Sequence, residues 1–139
     1  MAKARKSWRE KLAESKDLPK TLVIPAPKEV DEVMRQVPRG KLITIEGIRG
    51  ALARKHGTTM ACPMTTGIFA WIAAHAAEEG EAAGEKDVTP WWRTLKTGGE
   101  LNPKYPGRGK EQRKRLEGEG HVVERGRVKD FEKSLWSPA

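Results

Sequence analysis

Helical spacing of apolar residues marks the first clear element, between Pro27 and Pro38. Four apolar positions fall there at i, i+3, i+4 and i+7: Val30, Val33, Met34 and Val37. Proline suits the first turn of a helix, and the residue before a proline disfavours helical geometry. The pattern therefore predicts a helix that starts at Pro27 and ends before Pro38. Thr21–Ile24, just before it, is a short apolar run typical of an edge strand.

Two further helices are predicted close together in the chain. Thr44 can cap a helix that Gly57 ends, and this helix has one apolar face: Ile45, Ile48 and Leu52. A longer helix is predicted from Pro63 to about Glu79, with a core face on one side: Ile68, Trp71, Ile72 and His75. Two helices joined by a short turn that contains glycine form the helix-turn-helix pattern.

The rest of the chain predicts loops and short elements. Residues 76–87 are acidic and low in complexity, which indicates a solvated loop, and 90–95 read as extended. A short basic helix is predicted over 110–116, a hairpin around Arg125-Gly126, and a last helical turn over 131–136. The expected fold is mainly α with a small β element, a winged helix-turn-helix domain. We expect a basic arm (1–27), a DNA-binding domain (28–121) and a C-terminal hairpin and helix extension (122–139).

Charge is concentrated in two segments of the chain. The 139 residues carry 27 Lys and Arg against 19 Asp and Glu, a net charge of +8. Residues 1–20 hold seven basic and three acidic side chains, residues 104–129 hold nine and four, and residues 21–103 hold ten of each. Clustered basic side chains are typical of nucleic-acid binding, although basic segments can also serve solubility alone. No apolar run has the length of a membrane span, so we expect no membrane partner.

The second helix of the pair lacks the side chains that usually read bases. Opposite its predicted core face lie small residues and one aromatic residue: Thr65, Thr66, Phe69, Ala70 and Ala73. Arg, Lys, Asn and Gln, which read base edges in the major groove, are missing from this face. A sequence-specific regulator is therefore disfavoured. Small residues suit close approach to a DNA backbone or a shallow groove, and they equally suit a helix that is wholly buried.

Trp91, Trp92 and Arg93 form a second distinctive feature. Neighbouring residues of a strand point to opposite sides, so one indole can fill the core while the other lines a cavity. An exposed indole beside an arginine is a stacking platform for a base. The alternative is that both tryptophans belong to the core of a small domain.

Patterns of catalysis and metal binding are missing from the sequence. The segment 104–110 lacks the residues of a phosphate-binding loop or of a dinucleotide fingerprint. Cys62 is the single cysteine, which excludes an internal disulfide and a cysteine-based zinc site, and the sequence nominates no base to activate its thiol. The three histidines lie too far apart for a local ligand pair. We expect neither a metal nor a cofactor.

Several motifs follow one another in an order that a known family shares. They are Val37-Pro38-x-Gly40-Lys41-x-Ile43-Thr44, the helix pair, Pro90-Trp91-Trp92-Arg93, and Gly98-Gly99 with a later Leu116-x-x-Glu119-Gly120. Over roughly residues 28–121 the chain resembles the DNA-binding domain of the alkylguanine-DNA alkyltransferase family. Active members carry Pro-Cys-His-Arg, whose cysteine accepts the alkyl group. Trp91 stands at the cysteine position and Trp92 at the histidine position, which is similar to the alkyltransferase-like proteins that bind alkylated DNA and transfer nothing.

The resemblance also implies roles for particular residues. A damaged base would be flipped into a pocket lined by Pro90, Trp91, Trp92 and Arg93, since an indole can wall a pocket but cannot accept an alkyl group as a thiolate does. The tyrosine with which the family rotates the target nucleotide falls at Ile45. The arginine that fills the vacated base stack falls at Met64, and a methionine can wedge between bases.

The sequence thus predicts a non-enzymatic protein that binds double-stranded DNA, recognises alkylated or damaged bases and supports repair. Besides Ile45 and Met64, we expect Thr65 and Thr66 at the DNA, and four residues that neutralise phosphates: Arg39, Lys41, Arg113 and Lys114. We expect a cytoplasmic, nucleoid-associated monomer with excision-repair proteins as further partners. The alternatives are an RNA- or ribonucleoprotein-binding module that uses the same basic segments, and alkyl transfer to Cys62.

Overall fold

The protein is mainly helical, as predicted. The structure is a computed structural model that describes residues 21–138 of the chain. Its helices are α1 Pro27–Gln36, α2 Ile45–His56, α3 Pro63–Ala82 and α4 Lys110–Gly118. Short strands lie between and after them: β1 Leu22–Val23, β2 Ile43–Thr44, β3 Met60–Ala61, β4 Thr94–Leu95, β5 Val123–Glu124 and β6 Arg127–Val128. Trp91–Arg93 and Phe131–Ser134 are 3-10 turns. Most of the predicted basic arm lies outside the described residues.

The ends of α2 follow from its sequence. The Thr44 hydroxyl accepts a hydrogen bond from the backbone N–H of Gly47 at 3.1 Å. Gly57 ends the helix in the left-handed region (φ 63°), where glycine has no steric penalty, and its N–H bonds carbonyls of the last turn. α2 and α3 form the predicted helix pair, with β3 in the connection between them.

The core face predicted for α3 is wrong. Its buried residues are mostly small: Thr66, Ala70, Ala73, Ala74 and Ala77. Ile72 is 43% exposed and His75 is also exposed. Small side chains on α3 let α1 lie close, and Val30 and Met34 of α1 supply the apolar volume of the shared core. Periodicity locates a helix but does not say which face a neighbour covers. Of the five residues expected opposite the core, Thr66, Ala70 and Ala73 are buried, and Thr65 and Phe69 are partly exposed.

Two local predictions around α3 also fail. The segment 76–87 is not all loop, because α3 continues to Ala82. Alanine and glutamate favour helix, and Glu81 in the last turn is held by an ion pair with Arg115 at 2.8 Å. The segment 90–95 is not all extended, because residues 91–93 form the 3-10 turn before β4.

The segment after His121 packs as part of the fold. β5 and β6 form the predicted antiparallel hairpin, with Arg125 (φ 53°) and Gly126 (φ 74°) in its two-residue turn. A second apolar cluster joins this segment to the rest of the chain: Leu42, Leu95, Leu116, Val123, Val128 and Phe131. β2 pairs in parallel with β4, and β1 with β3. Within residues 21–138, no helix combines the length and the hydropathy needed to cross a bilayer.

Acid is expected to weaken the α1–α2 contact through Glu29. This carboxylate accepts the N–H of Ala26 at 3.0 Å and lies 3.0 Å from Lys55 Nζ and 2.6 Å from His56 Nε2. These contacts, first the Ala26 hydrogen bond, lower the pKa of Glu29 to about 2 from an ordinary value of 4.5. A carboxyl with a depressed folded-state pKa adds stability above its unfolded pKa and loses it as pH falls through the folded value.

Glu29→Gln should therefore cost about 1 kcal/mol at neutral pH, a screened value typical of such pairs, and progressively less as pH falls toward 2. Thermal denaturation between these pH values measures the difference, with the exposed Glu32→Gln as the matched control. Curves for Glu29→Gln and wild type that stay parallel throughout would contradict the assignment.

Candidate nucleic-acid interface

The start of α3 presents one large apolar side chain to solvent. Pro63 is its first helical residue, and Met64, the next, is 72% exposed. Thr65 is partly exposed. Thr66 is fully buried, and its hydroxyl donates to the carbonyl of Cys62 at 2.7 Å. Of the three residues expected at DNA here, Met64 is accessible. Thr65 is partly exposed but its hydroxyl is enclosed, and the Thr66 hydroxyl already has an internal partner.

Trp91 is enclosed, which differs from the open cavity expected around it. Its side chain is 0% exposed, and its ring packs edge-on against Trp92 and Tyr105, with centroids 5.9 and 5.7 Å away. A strand was predicted here, but residues 91–93 form a 3-10 turn, which does not alternate side chains between two faces. Trp91 Nε1 has no hydrogen-bond partner within residues 21–138. Trp91 therefore belongs to the main core, while Trp92 is partly exposed.

Glu119 joins three separate segments of the chain. One carboxylate oxygen accepts the Trp92 indole N–H at 2.6 Å, and the other accepts the backbone N–H of Gly40 at 3.0 Å. The Arg93 guanidinium binds both oxygens through Nε, at 3.0 and 3.1 Å, and donates from Nη1 to the carbonyl of Val37 at 2.7 Å. Burial alone would raise the pKa of Glu119, but the hydrogen bonds from Arg93, Gly40 and Trp92 lower it. Glu119 is therefore ionised and holds Trp92 and Arg93 in place.

A hollow of about 220 Å³ opens beside this network. Pro90, Trp92 and Arg93, three of the four residues expected to line a base pocket, border it. Arg35, Asp87 and Val88 border it as well, whereas Trp91 lies behind Trp92 and does not.

The face of Trp92 is covered by an arginine that the sequence did not single out. The Arg115 guanidinium lies 4.6 Å from the Trp92 ring centroid and 5.6 Å from that of Trp91. Two carboxylates hold it, Glu111 one turn earlier in α4 and Glu81 at the end of α3, each at 2.8 Å. The i, i+4 spacing of Glu111 and Arg115 was visible in the sequence. The contact with Glu81 depends on how α4 packs against α3.

The four predicted phosphate contacts are all exposed and lie around α4. Arg39 Nη2 donates to the carbonyl of Gly118 at 3.4 Å, which places the turn that holds Arg39 and Lys41 at the end of this helix. Arg113 makes a long, exposed ion pair of 3.4 Å with Glu117. Ile45, expected at the DNA, is half-buried against the main core. The exposed predicted DNA contacts therefore form two groups, one at the start of α3 and one around α4, and Ile45 at the start of α2 belongs to neither.

Cys62 precedes the first turn of α3 and is partly exposed. The neighbouring Thr65 side chain, then backbone N–H groups of the first turn, lower the pKa of its thiol. His56, the nearest histidine in sequence, is occupied instead by Glu29. Among residues 21–138, no three His, Cys, Asp or Glu side chains lie together as a candidate metal site.

The described part of the chain has a fold that is also found in a DNA-bound protein of known structure. The solved structure that shows this is S. pombe Atl1 in complex with damaged DNA containing O6-carboxymethylguanine. The chain is 23% identical to Atl1, with a TM-score of 0.56 over 81% of this chain and 94% of that chain. The resemblance stated from the motifs is confirmed at the level of the fold.

A second structure, S. pombe ATL in complex with DNA, is 24% identical over the same shares of both chains, with a TM-score of 0.46. No protein-family model matches the sequence, and no curated protein matches it.

Proposed function

We propose that this chain is a non-enzymatic DNA-binding protein that recognises alkylated or damaged bases in duplex DNA and supports their repair. The observation that carries the proposal is the exposed Met64 at the start of α3, in a fold shared with a protein that was crystallised on damaged DNA. The net charge of +8 supplies the electrostatic attraction to a polyanion.

Met64 is suited to act as a wedge. An apolar side chain inserted between base steps unstacks them, and the flipped base can then enter a protein pocket. An exposed methionine in the first turn of the second helix, with most of its side chain in solvent, has this chemistry.

The base would enter the hollow beside Pro90, Trp92 and Arg93. An indole offers a stacking face there, and Glu119 fixes its orientation. Trp91 supports Trp92 from the core side. The Arg115 guanidinium lies over the Trp92 ring but is not among the residues that line the hollow.

Alkyl transfer is not part of the proposal. The position where the resemblance places a reactive thiol holds Trp91, which is buried and carries no nucleophile. Cys62 lies in a different motif, and His56 is held by Glu29 rather than by the thiol. A protein that binds a lesion without altering it can still mark the lesion for excision.

Fluorescence anisotropy on a duplex of about 20 base pairs, two helical turns, tests the proposal. The duplex is used plain and with one O6-carboxymethylguanine. If Arg39, Lys41, Arg113 and Lys114 each neutralise one phosphate, affinity should fall about a hundredfold between 50 and 200 mM salt. Equal affinity for both duplexes would remove lesion recognition. Failure to bind at low salt, or preference for a structured RNA of equal length, would overturn the proposal.

Met64→Ala should weaken binding to the lesion-bearing duplex about tenfold, close to 1.4 kcal/mol, because the wedge is lost. The plain duplex should be affected less. Ile72→Ala is the matched control, since it removes another exposed apolar side chain from the same helix. The same loss for both variants would show that Met64 has no special role.

A further inference from the structure

A cleft of about 310 Å³ lies between the first turn of α4 and the β5–β6 hairpin, apart from the hollow at Trp92. Three cationic side chains line it: Arg108, Lys110 and Arg113. Three apolar side chains form the rest of its wall: Leu101, Pro103 and Val123. These six residues define what we call the basic cleft. No carboxylate is among the described residues that line it.

The cations of the basic cleft form few ion pairs within the described part of the protein. Within residues 21–138, Arg108 and Lys110 make no ion pair, and both side chains are exposed. Arg113 has only its 3.4 Å contact with Glu117, in which both side chains are about half exposed. Such a pair contributes little and is easily exchanged for another anion. Like charges around one cavity repel each other, so the cleft gains most from an anionic ligand.

The hairpin adds further cations on the other side of the cleft. Gly126 lines it, and Arg125 and Arg127 flank that glycine, both exposed. The Arg127 guanidinium lies 5.5 Å from the centroid of the Phe131 ring. Phe131 belongs to the second apolar cluster, so this wall of the cleft is attached to a packed core.

We propose that the basic cleft binds a nucleotide unit of the DNA backbone, its phosphate at Arg108, Lys110 and Arg113 and its deoxyribose against the apolar wall. A nucleotide carries an anionic and an apolar part side by side, which matches the two kinds of lining. This inference rests on the proposed function and adds a second contact to the one at the start of α3.

The second contact is well separated from the first. α4 is joined to the last turn of α3 by the Arg115–Glu81 ion pair, whereas Met64 is in the first turn. Glu81 follows Met64 by 17 residues, about 25 Å along the helix. A duplex that reaches both groups of contacts is held at two places, which fixes its orientation on the protein.

The test compares two variants of equal charge change. Arg108→Gln/Lys110→Gln alters the basic cleft, and Lys28→Gln/Lys86→Gln removes two exposed cations elsewhere. On the plain duplex, the cleft variant should bind about tenfold more weakly at 50 mM salt, and its log–log salt slope should fall by about one unit. The control variant should change affinity less than twofold.

Arg108→Lys should retain most of the affinity, because the charge stays. Equal losses in the cleft and control variants would overturn the inference. Unchanged thermal midpoints exclude unfolding as the cause.

A separate arm distinguishes this inference from the proposed function. Thymidine 5′-monophosphate is titrated into the wild type and the cleft variant, and backbone amide shifts of Gly109 and Gly126 are followed by NMR. Shifts in the wild type that are lost in the cleft variant support a nucleotide site, even if duplex recognition of lesions fails. A wild type that binds damaged duplex but shows neither these shifts nor the salt-slope change overturns the basic cleft and leaves the proposed function intact.

Discussion

Replacement of Glu119 by glutamine is expected to lower the free energy of unfolding by about 3 to 5 kcal/mol. The Glu119 side chain is only 7% exposed and that of its partner Arg93 14%. Glutamine keeps the shape but removes the charge, so the Arg93 guanidinium stays buried without its counter-ion. The Trp92 N–H and the Gly40 N–H also lose a charged acceptor. A domain of this size is stable by about 5 to 15 kcal/mol, so the loss is a large fraction.

Urea denaturation followed by tryptophan fluorescence measures the change. Glu117→Gln is the matched control: it lies two residues earlier, and its ion pair with Arg113 is exposed, so we expect a loss of about 0 to 1 kcal/mol. Equal losses for the two variants would mean that the Glu119 network is not a structural centre.

Trp91→Ala is expected to cost about 3 to 5 kcal/mol as well, for a different reason. The indole is wholly buried, and its removal leaves a cavity against Trp92, Tyr105 and the small residues of α3. Trp91→Phe should cost far less, about 1.5 kcal/mol or below, because a ring remains and the unpartnered Nε1–H disappears.

The stability of these variants is compared with their affinity for the lesion-bearing duplex. Trp71→Ala, at a partly exposed tryptophan of α3, is the control and should lose less stability than Trp91→Ala. Because Trp91 lies behind Trp92, Trp91→Phe should keep its preference for the lesion-bearing duplex. Unchanged stability together with a selective loss of lesion binding in Trp91→Ala would show that Trp91 contacts the base directly.

The candidate site was only partly visible in the sequence. Motif order located Trp92, Arg93 and Glu119, and the basic composition indicated a polyanion. The partners of these residues were not visible, because Glu119 is separated by 26 residues from Arg93 and by 79 from Gly40. Arg115 looked like one member of a basic helix, and only the packing of α4 against the 91–93 turn places it over Trp92.

Local chemistry by itself determined the ends of α1 and α2. Pro27 and the residue before Pro38, the Thr44 cap and the Gly57 stop act through bonds within a few residues, so the sequence contains everything that sets them. The Arg125-Gly126 hairpin turn is of the same kind.

Only the tertiary structure decided which faces are buried. The small residues of α3 became its core face because α1 covers them, and Trp91 became enclosed because the chain turns at 91–93 instead of extending. Burial depends on which distant segment removes a surface from water, and periodicity within one element does not contain that information.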